Sequence, residues 1–102
     1  MSALSINKNN FDSIKKGEKT VLLDFYADWC GPCRMVSPIV DEIAEERGDI
    51  VVGKINVDNE QELARDFGIL SIPTLVVLKN GEIINKASGA RPKAQILELL
   101  NG

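Results

Sequence analysis

The chain is 102 residues long, 44% hydrophobic and 26% charged, with 12 basic and 15 acidic residues and a net charge of −3. That balance fits one soluble domain spanning residues 1–102, large enough to bury a core without disulfide staples or a structural metal. It excludes disorder and a collagen-like repeat, no apolar run approaches the ~20 residues that cross a bilayer, and the acidic balance argues against nucleic acid as a partner.

Ser2–Ile6 reads as a short edge strand, and Asn10 as the cap of a short helix through Ile14 that stops near Gly17. Val21–Ala27 runs Val-Leu-Leu-Asp-Phe-Tyr-Ala, a nearly continuous apolar stretch that suits a strand buried on both faces of a parallel sheet. From Cys33 to Arg47 the period becomes helical. Val36, Ile39, Val40, Ile43 and Ala44 form one stripe, the carboxylates fall largely away from it, and Gly48 is the stop. Pro38 lies inside this helix and lacks an N–H.

Ile50–Val57 is the next strand. Asn59, with Glu62 three residues on, is the expected cap of a short helix whose apolar side is Leu63, Ala64 and Phe67 and which Gly68 ends. Thr74–Lys79 and Glu82–Ala87 are strands joined by Asn80-Gly81, a strong two-residue hairpin signal. Pro92 suits the first turn of a last helix with Ile96, Leu97, Leu99 and Leu100 on its buried side. The order β-α-β-α-β-α-β-β-α implies an α/β fold, a mixed sheet with helices on both faces. Within it, strand 21–27, helix 33–47 and strand 50–57 should form a right-handed parallel crossover.

Histidine is absent and the only cysteines are Cys30 and Cys33. Cys–His and Ser–His catalysis and the commonest zinc ligand are thereby removed. The opening Met-Ser-Ala-Leu-Ser-Ile-Asn-Lys lacks the pattern of a secretory leader, so the expected location is a reducing cytoplasm. There a close cysteine pair points to catalysis or metal binding before a structural bridge.

Trp29-Cys30-Gly31-Pro32-Cys33 follows the first buried strand and opens the amphipathic helix, outside the carboxyl end of a strand, where open α/β sheets carry chemistry. Cys30 is expected at the helix N-terminus, partly exposed. Unpaired N–H groups and the helix dipole there favour the thiolate, which is the nucleophile. Cys33 is one turn further on, within reach and facing inward. Gly31 permits the tight turn, and Pro32 fixes a first-turn dihedral where no N–H is needed. A C-x-x-C beside a βαβ pattern is itself the usual sign of a thioredoxin-like redox site.

Asp24-Phe25-Tyr26-Ala27-Asp28-Trp29-Cys30-Gly31-Pro32-Cys33-Arg34-Met35, followed by Pro38, Asp58, Ile72-Pro73-Thr74 and Gly89, resembles the thioredoxin family over essentially the whole chain. The resemblance implies the thioredoxin fold, a central mixed five-stranded sheet flanked by four helices. In it the first strand lies beside 50–57 and strand 82–87 takes the other edge. It also implies a cis bond before Pro73, facing the cysteine pair. Trp29, Gly31, Pro32, Ile72, Pro73, Thr74, Gly89 and Ala90 would then form an apolar rim that receives substrate. Plainer readings stand beside this one: Trp29 as core filling, Gly89 as a turn.

Asp24 stands inside an apolar strand, where a carboxylate is costly and its pKa should rise. It is either a proton acceptor that helps Cys33 ionise or a polar residue paired with a backbone donor or with Lys54 in the neighbouring strand. Arg34 either favours thiolate at Cys30 or is a solvated charge. Tyr26 and Asp58 are candidates for hydrogen bonds behind the site.

The expected activity is thiol–disulfide oxidoreduction through a reversible Cys30–Cys33 couple, acting on disulfide-containing proteins. The family resemblance implies regeneration by thioredoxin reductase, a flavin enzyme drawing on NADPH. Oxidising relatives carry His between the cysteines, and Gly31-Pro32 offers no such charge, which favours the reductant. The chain has no glycine-rich dinucleotide loop, so no cofactor of its own is expected, and a small monomer is the default. Two rivals stay open: a binding module with incidental cysteines, and a metal site shared between two chains.

Overall fold

The structure, a computed structural model, describes residues 3–101. Its elements in chain order are β1 (Leu4–Ser5), α1 (Phe11–Lys15), β2 (Val21–Tyr26), α2 (Gly31–Glu46), β3 (Val51–Asn56), α3 (Gln61–Asp66), β4 (Thr74–Lys79), β5 (Glu82–Ser88) and α4 (Lys93–Leu99). The five strands form one mixed sheet in the order β1-β3-β2-β4-β5. β1 and β2 run parallel to β3, whereas β4 is antiparallel to both β2 and β5. All nine expected elements are present. Ser2, expected in the first strand, lies outside the described residues.

The central strand β2 is buried on both faces because its neighbours are strands on both edges and helices above and below. Its side chains alternate. Val21, Leu23 and Phe25 join Phe11, Ile55, Leu63, Val76 and Leu78 on the α1/α3 face. Leu22 joins Val36, Val40, Ile43, Val52, Leu75, Val77 and Ile96 on the α2/α4 face. Asp24 belongs to the second face by the same alternation. Gly53 leaves room for the buried Ile6 side chain just after β1, since a Cβ there would sit 2.7 Å from Ile6 Cγ1.

Several boundaries move by a residue or more, and each has a local cause. Helix α2 opens at Gly31 rather than Cys33, because Cys30 itself takes the cap position with an extended backbone (φ −88°, ψ 113°). The helix continues through Pro38 to Glu46. Asn59 does not cap α3. Glu60 holds that position without a side-chain bond, and its carboxylate instead accepts the Lys8 N–H at 3.1 Å. Asn10 is at the α1 cap position but spends its side chain on the preceding loop, accepting Asn7 N–H at 2.9 Å and donating to Ser5 O at 3.0 Å. Pro92 is the cap of α4 and not its first helical residue.

The hairpin behaves as its dipeptide requires. Asn80 and Gly81 both have positive φ, 53° and 80°, the signature of the turn that matches strand twist. One irregularity lies between Val77 and Leu78, where the register shifts. Asn85 then reaches α4, donating to Leu99 O at 2.9 Å. Among the described residues no helix is long and apolar enough to cross a membrane.

Candidate redox site

The carboxyl end of β2 delivers the chain through Ala27-Asp28-Trp29 into the first turn of α2. Cys30 N–H donates to Ala27 O at 3.2 Å, and Cys33 N–H donates to Cys30 Sγ at 3.2 Å. The sulfur therefore does what a cap oxygen does at other helices: it satisfies a first-turn donor. A thiolate gains more from that position than a thiol, because it takes the full benefit of the donor and the dipole. Cys30 and Cys33 are joined as a disulfide with Cα atoms 5.3 Å apart.

Cys30 is less exposed than expected, 5%, because Ala27, Val57 and Ile72 pack around the pair. The two sulfurs open in different directions. Cys30 lines an apolar groove of about 510 Å³ together with Trp29, Gly31, Pro32 and Ile72. Cys33, 2% exposed, lines a smaller cavity of about 180 Å³ with Tyr26, Asp28, Arg34 and Ser37.

The groove contains residues that the sequence did not single out. Val57, Ala64, Ile69, Leu70 and Ser71 complete it. Leu70 is 99% exposed and Trp29 68%, so both present large apolar surface to solvent. The signal for Leu70 was an apolar pair, Ile69-Leu70, in the loop after the Gly68 stop. The Trp29 indole is not core filling: its Nε1–H donates to Asp58 Oδ2 at 2.9 Å, which fixes the ring at the groove edge. Asp58 thus acts on the rim, not behind the site.

The Ile72–Pro73 bond is cis. Pro73 is buried, and its carbonyl accepts the N–H of Gly89 at 2.8 Å, where φ is +95°. Gly89 thereby holds the Pro73 loop, while Ala90 beside it is exposed. Thr74 corrects the rim expectation. It is 1% exposed, and its hydroxyl is engaged inward with Ser71 O at 2.7 Å and Ser88 Oγ at 3.1 Å. It supports the loop and offers no surface. Ile72 O lies 3.9 Å from Cys30 Sγ. Arg34 turns to Asp28 O, Nη2 donating at 3.0 Å.

Asp24 and Lys54 are register partners on β2 and β3, yet they do not hydrogen-bond. The Lys54 ammonium donates to Ser37 Oγ and, at 3.0 Å, to the Asp41 carboxylate, both on α2. This corrects the reading in which Lys54 or a backbone donor pairs with Asp24. Both Asp24 oxygens are buried without a hydrogen-bond partner among the described residues. Burial pushes the Asp24 carboxyl up to about 7, against the pull of the Lys54 charge and with a further push from Asp41. Burial also works on Asp41, but hydrogen bonds from Lys54 and the Ala3 N–H, with the Lys54 charge, hold it below the usual carboxylate range.

A capped sulfur, a second thiol one turn inside it, an apolar groove and a buried carboxyl titrating near neutrality are the parts of a dithiol–disulfide couple. Comparison with known proteins points the same way. A family model described as Thioredoxin matches residues 2–102. The chain belongs to the thioredoxin family. It is 47% identical to the thioredoxin of Bacillus subtilis (strain 168) over 90 residues, which is 87% of this chain and 86% of that protein. It is 55% identical to the thioredoxin of Pyropia yezoensis over 82 residues, 79% and 77% of the two chains. The solved structure of a single-site mutant of the thioredoxin from Halobacterium salinarum NRC-1 superposes with a TM-score of 0.90 at 37% identity, covering 98% of this chain and 88% of that one. The fold implied by the family resemblance is therefore the fold of this protein, and Cys30 and Cys33 make it a thiol–disulfide oxidoreductase.

Proposed function

We propose that the protein is a cytoplasmic, monomeric reductant of protein disulfides, reset by an NADPH-dependent flavin reductase of the thioredoxin reductase kind. The observation that carries the reading is Cys30 Sγ at the cap of α2, receiving the Cys33 N–H at 3.2 Å and facing the apolar groove. The groove suits a partner that brings an extended apolar segment around its disulfide. The apolar surface of Trp29, Leu70 and Ile72 makes no directional demand, so it suits many such partners.

The reaction then runs in two exchanges. The Cys30 thiolate attacks one sulfur of the partner disulfide. A mixed disulfide forms and the partner's other sulfur leaves as a thiolate. Cys33 gives its proton to the Asp24 carboxylate, and the resulting thiolate attacks Cys30 Sγ. The Cys30–Cys33 bond forms and the partner's second sulfur departs. Two electrons have passed from the dithiol to the partner, and the reductase returns two from NADPH. Gly31 and Pro32 shape the turn, Gly89 holds the Pro73 loop, and Lys54 stands beside the proton acceptor.

Insulin reduction with dithiothreitol as donor tests the chemistry. The native protein is expected to accelerate it and Cys30→Ser to be inert. NADPH consumption with a thioredoxin reductase tests the reset. If the Cys30→Ser, Cys33→Ser double variant keeps the activity, the protein is a binding module and the redox reading falls.

A further inference from the structure

Cys33, Ser37 and Asp41 lie at i, i+4 and i+8 on α2, one above another along a single side of the helix. That side covers the β2/β3 seam where Asp24 and Lys54 stand side by side. The Lys54 ammonium has two destinations within reach: the carboxylate next to it on the sheet, or the helix above. It takes the helix, and Ser37 and Asp41 are its two acceptors there. Asp24 is left buried at 1% exposure with neither oxygen bonded among the described residues. Ser37 also borders the cavity into which Cys33 opens.

We propose that Ser37 is a positioning residue: with Asp41 it holds the Lys54 ammonium on α2 and off Asp24, keeping that carboxylate free to take the Cys33 proton. The proposal rests on the reading of Asp24 as proton acceptor, and it names what sets that acceptor's basicity. An ammonium pressed directly on Asp24 would stabilise its ionised form and make it a poorer base at neutral pH. An ammonium held by Ser37 and Asp41 still draws the Asp24 carboxyl down through space, but against the opposing push of the Asp41 charge and without a contact of its own. The serine is the adjustable member, because Asp41 is already committed also to the Ala3 N–H at 3.1 Å.

The surroundings of Asp24 leave few other groups that could set its titration. Lys54 faces it from β3 and Asp41 from α2, with Cys33 on the first turn of the same helix. Tyr26 is the next residue on the same face of β2. The β4 register partner is Leu75, and α4 contributes the apolar Ile96.

The test follows the Asp24 carboxyl by carbon-13 NMR in Ser37→Ala, Ser37→Thr and the native protein. Loss of the hydroxyl should let Lys54 turn to Asp24 and lower its midpoint by about one unit or more, the usual effect of an opposite charge in contact. Threonine, which keeps the hydroxyl, should restore it. The rate at which Cys33 resolves a mixed disulfide on Cys30 should lose the corresponding limb of its pH profile in Ser37→Ala and regain it in Ser37→Thr. A native-like Asp24 midpoint in folded Ser37→Ala overturns the proposal, as does a midpoint that rises. The Asp24→Asn variant separates the underlying reading. If its resolution rate keeps the native pH profile, Asp24 is not the proton acceptor, whereas the Asp24 midpoint in Ser37→Ala still decides what Ser37 does to Lys54.

Discussion

The two faces of the sheet are built from alternate residues of the same strands, and they are used differently. The α1/α3 face is closed with aromatic rings. Phe67 meets Phe11 edge-on at 5.5 Å and Phe25 at 5.3 Å, and the rest of that layer is aliphatic. The α2/α4 face is aliphatic at its far end but holds Asp24, Lys54, Ser37 and Asp41 under the cysteine-bearing end of α2. Leu23 and Asp24 are neighbours in sequence and both buried, yet one contributes stability and the other takes it away. The difference teaches that one face is built wholly for burial while the other keeps a buried, unpaired carboxyl and an ammonium under the helix that carries the cysteines, at a cost that the packing alone does not recover.

Perturbations on either side should separate those roles. The largest effect belongs to the chemistry: Cys30→Ser should lower insulin-reduction turnover by on the order of 10³-fold or more, as loss of a nucleophile does. Cys33→Ser should instead stop after one exchange and accumulate a mixed disulfide visible on non-reducing gels. Leu23→Ala, on the aromatic face, should destabilise the protein by about 2–5 kcal/mol at every pH through lost burial and a cavity. Urea midpoints read that directly.

Asp24→Ala should do the opposite, and only in one pH range. With a folded-state carboxyl near 7 against an unfolded value near 3.9, the native protein holds this proton more tightly than the unfolded chain. Ionisation therefore erodes native stability progressively as pH rises from about 4 to about 7, and the full penalty stands above that. The variant escapes a penalty of up to roughly 4 kcal/mol, less whatever cavity the missing carboxylate leaves. Its urea midpoint should exceed the native one at pH 8 and show no advantage at pH 4. A variant that melts lower at pH 8 would make the two faces alike. The smallest effect is expected at the groove, where Leu70→Ser should raise the KM for a protein disulfide roughly 5-fold and leave dithiothreitol exchange unchanged.

Much of the frame was legible because local signals agreed with the global fold. The apolar run at 21–27 required cover on both faces and has it. Asn80-Gly81 admits few turns and makes the expected one. Trp29-Cys30-Gly31-Pro32-Cys33 sits between a strand and a helix stripe, which by itself places the sulfurs at the helix start. What escaped was set by contacts between distant segments. The Asn59 and Glu62 pattern looked like a cap, but Glu60 holds the position and is drawn to Lys8. The partners of Lys54 lie on α2: Asp41, which the helical period puts away from the apolar stripe, reaches over β3 with Ser37 and takes the ammonium. Thr74 sits beside the cis bond in sequence, yet strand pairing with Ser88 turns it inward. Leu70 escapes sequence patterns because a loop leucine carries no periodicity.

The two sulfurs look out through separate doorways, one broad and greasy, the other small and edged by Asp28, Arg34 and Ser37. A bulky maleimide offered to the reduced protein should therefore label position 30 alone, and a reagent no larger than iodoacetamide is needed to touch 33. Topography of this kind hides the second thiol from the crowd outside, so a captured client meets its release from within and not from a competitor in solution.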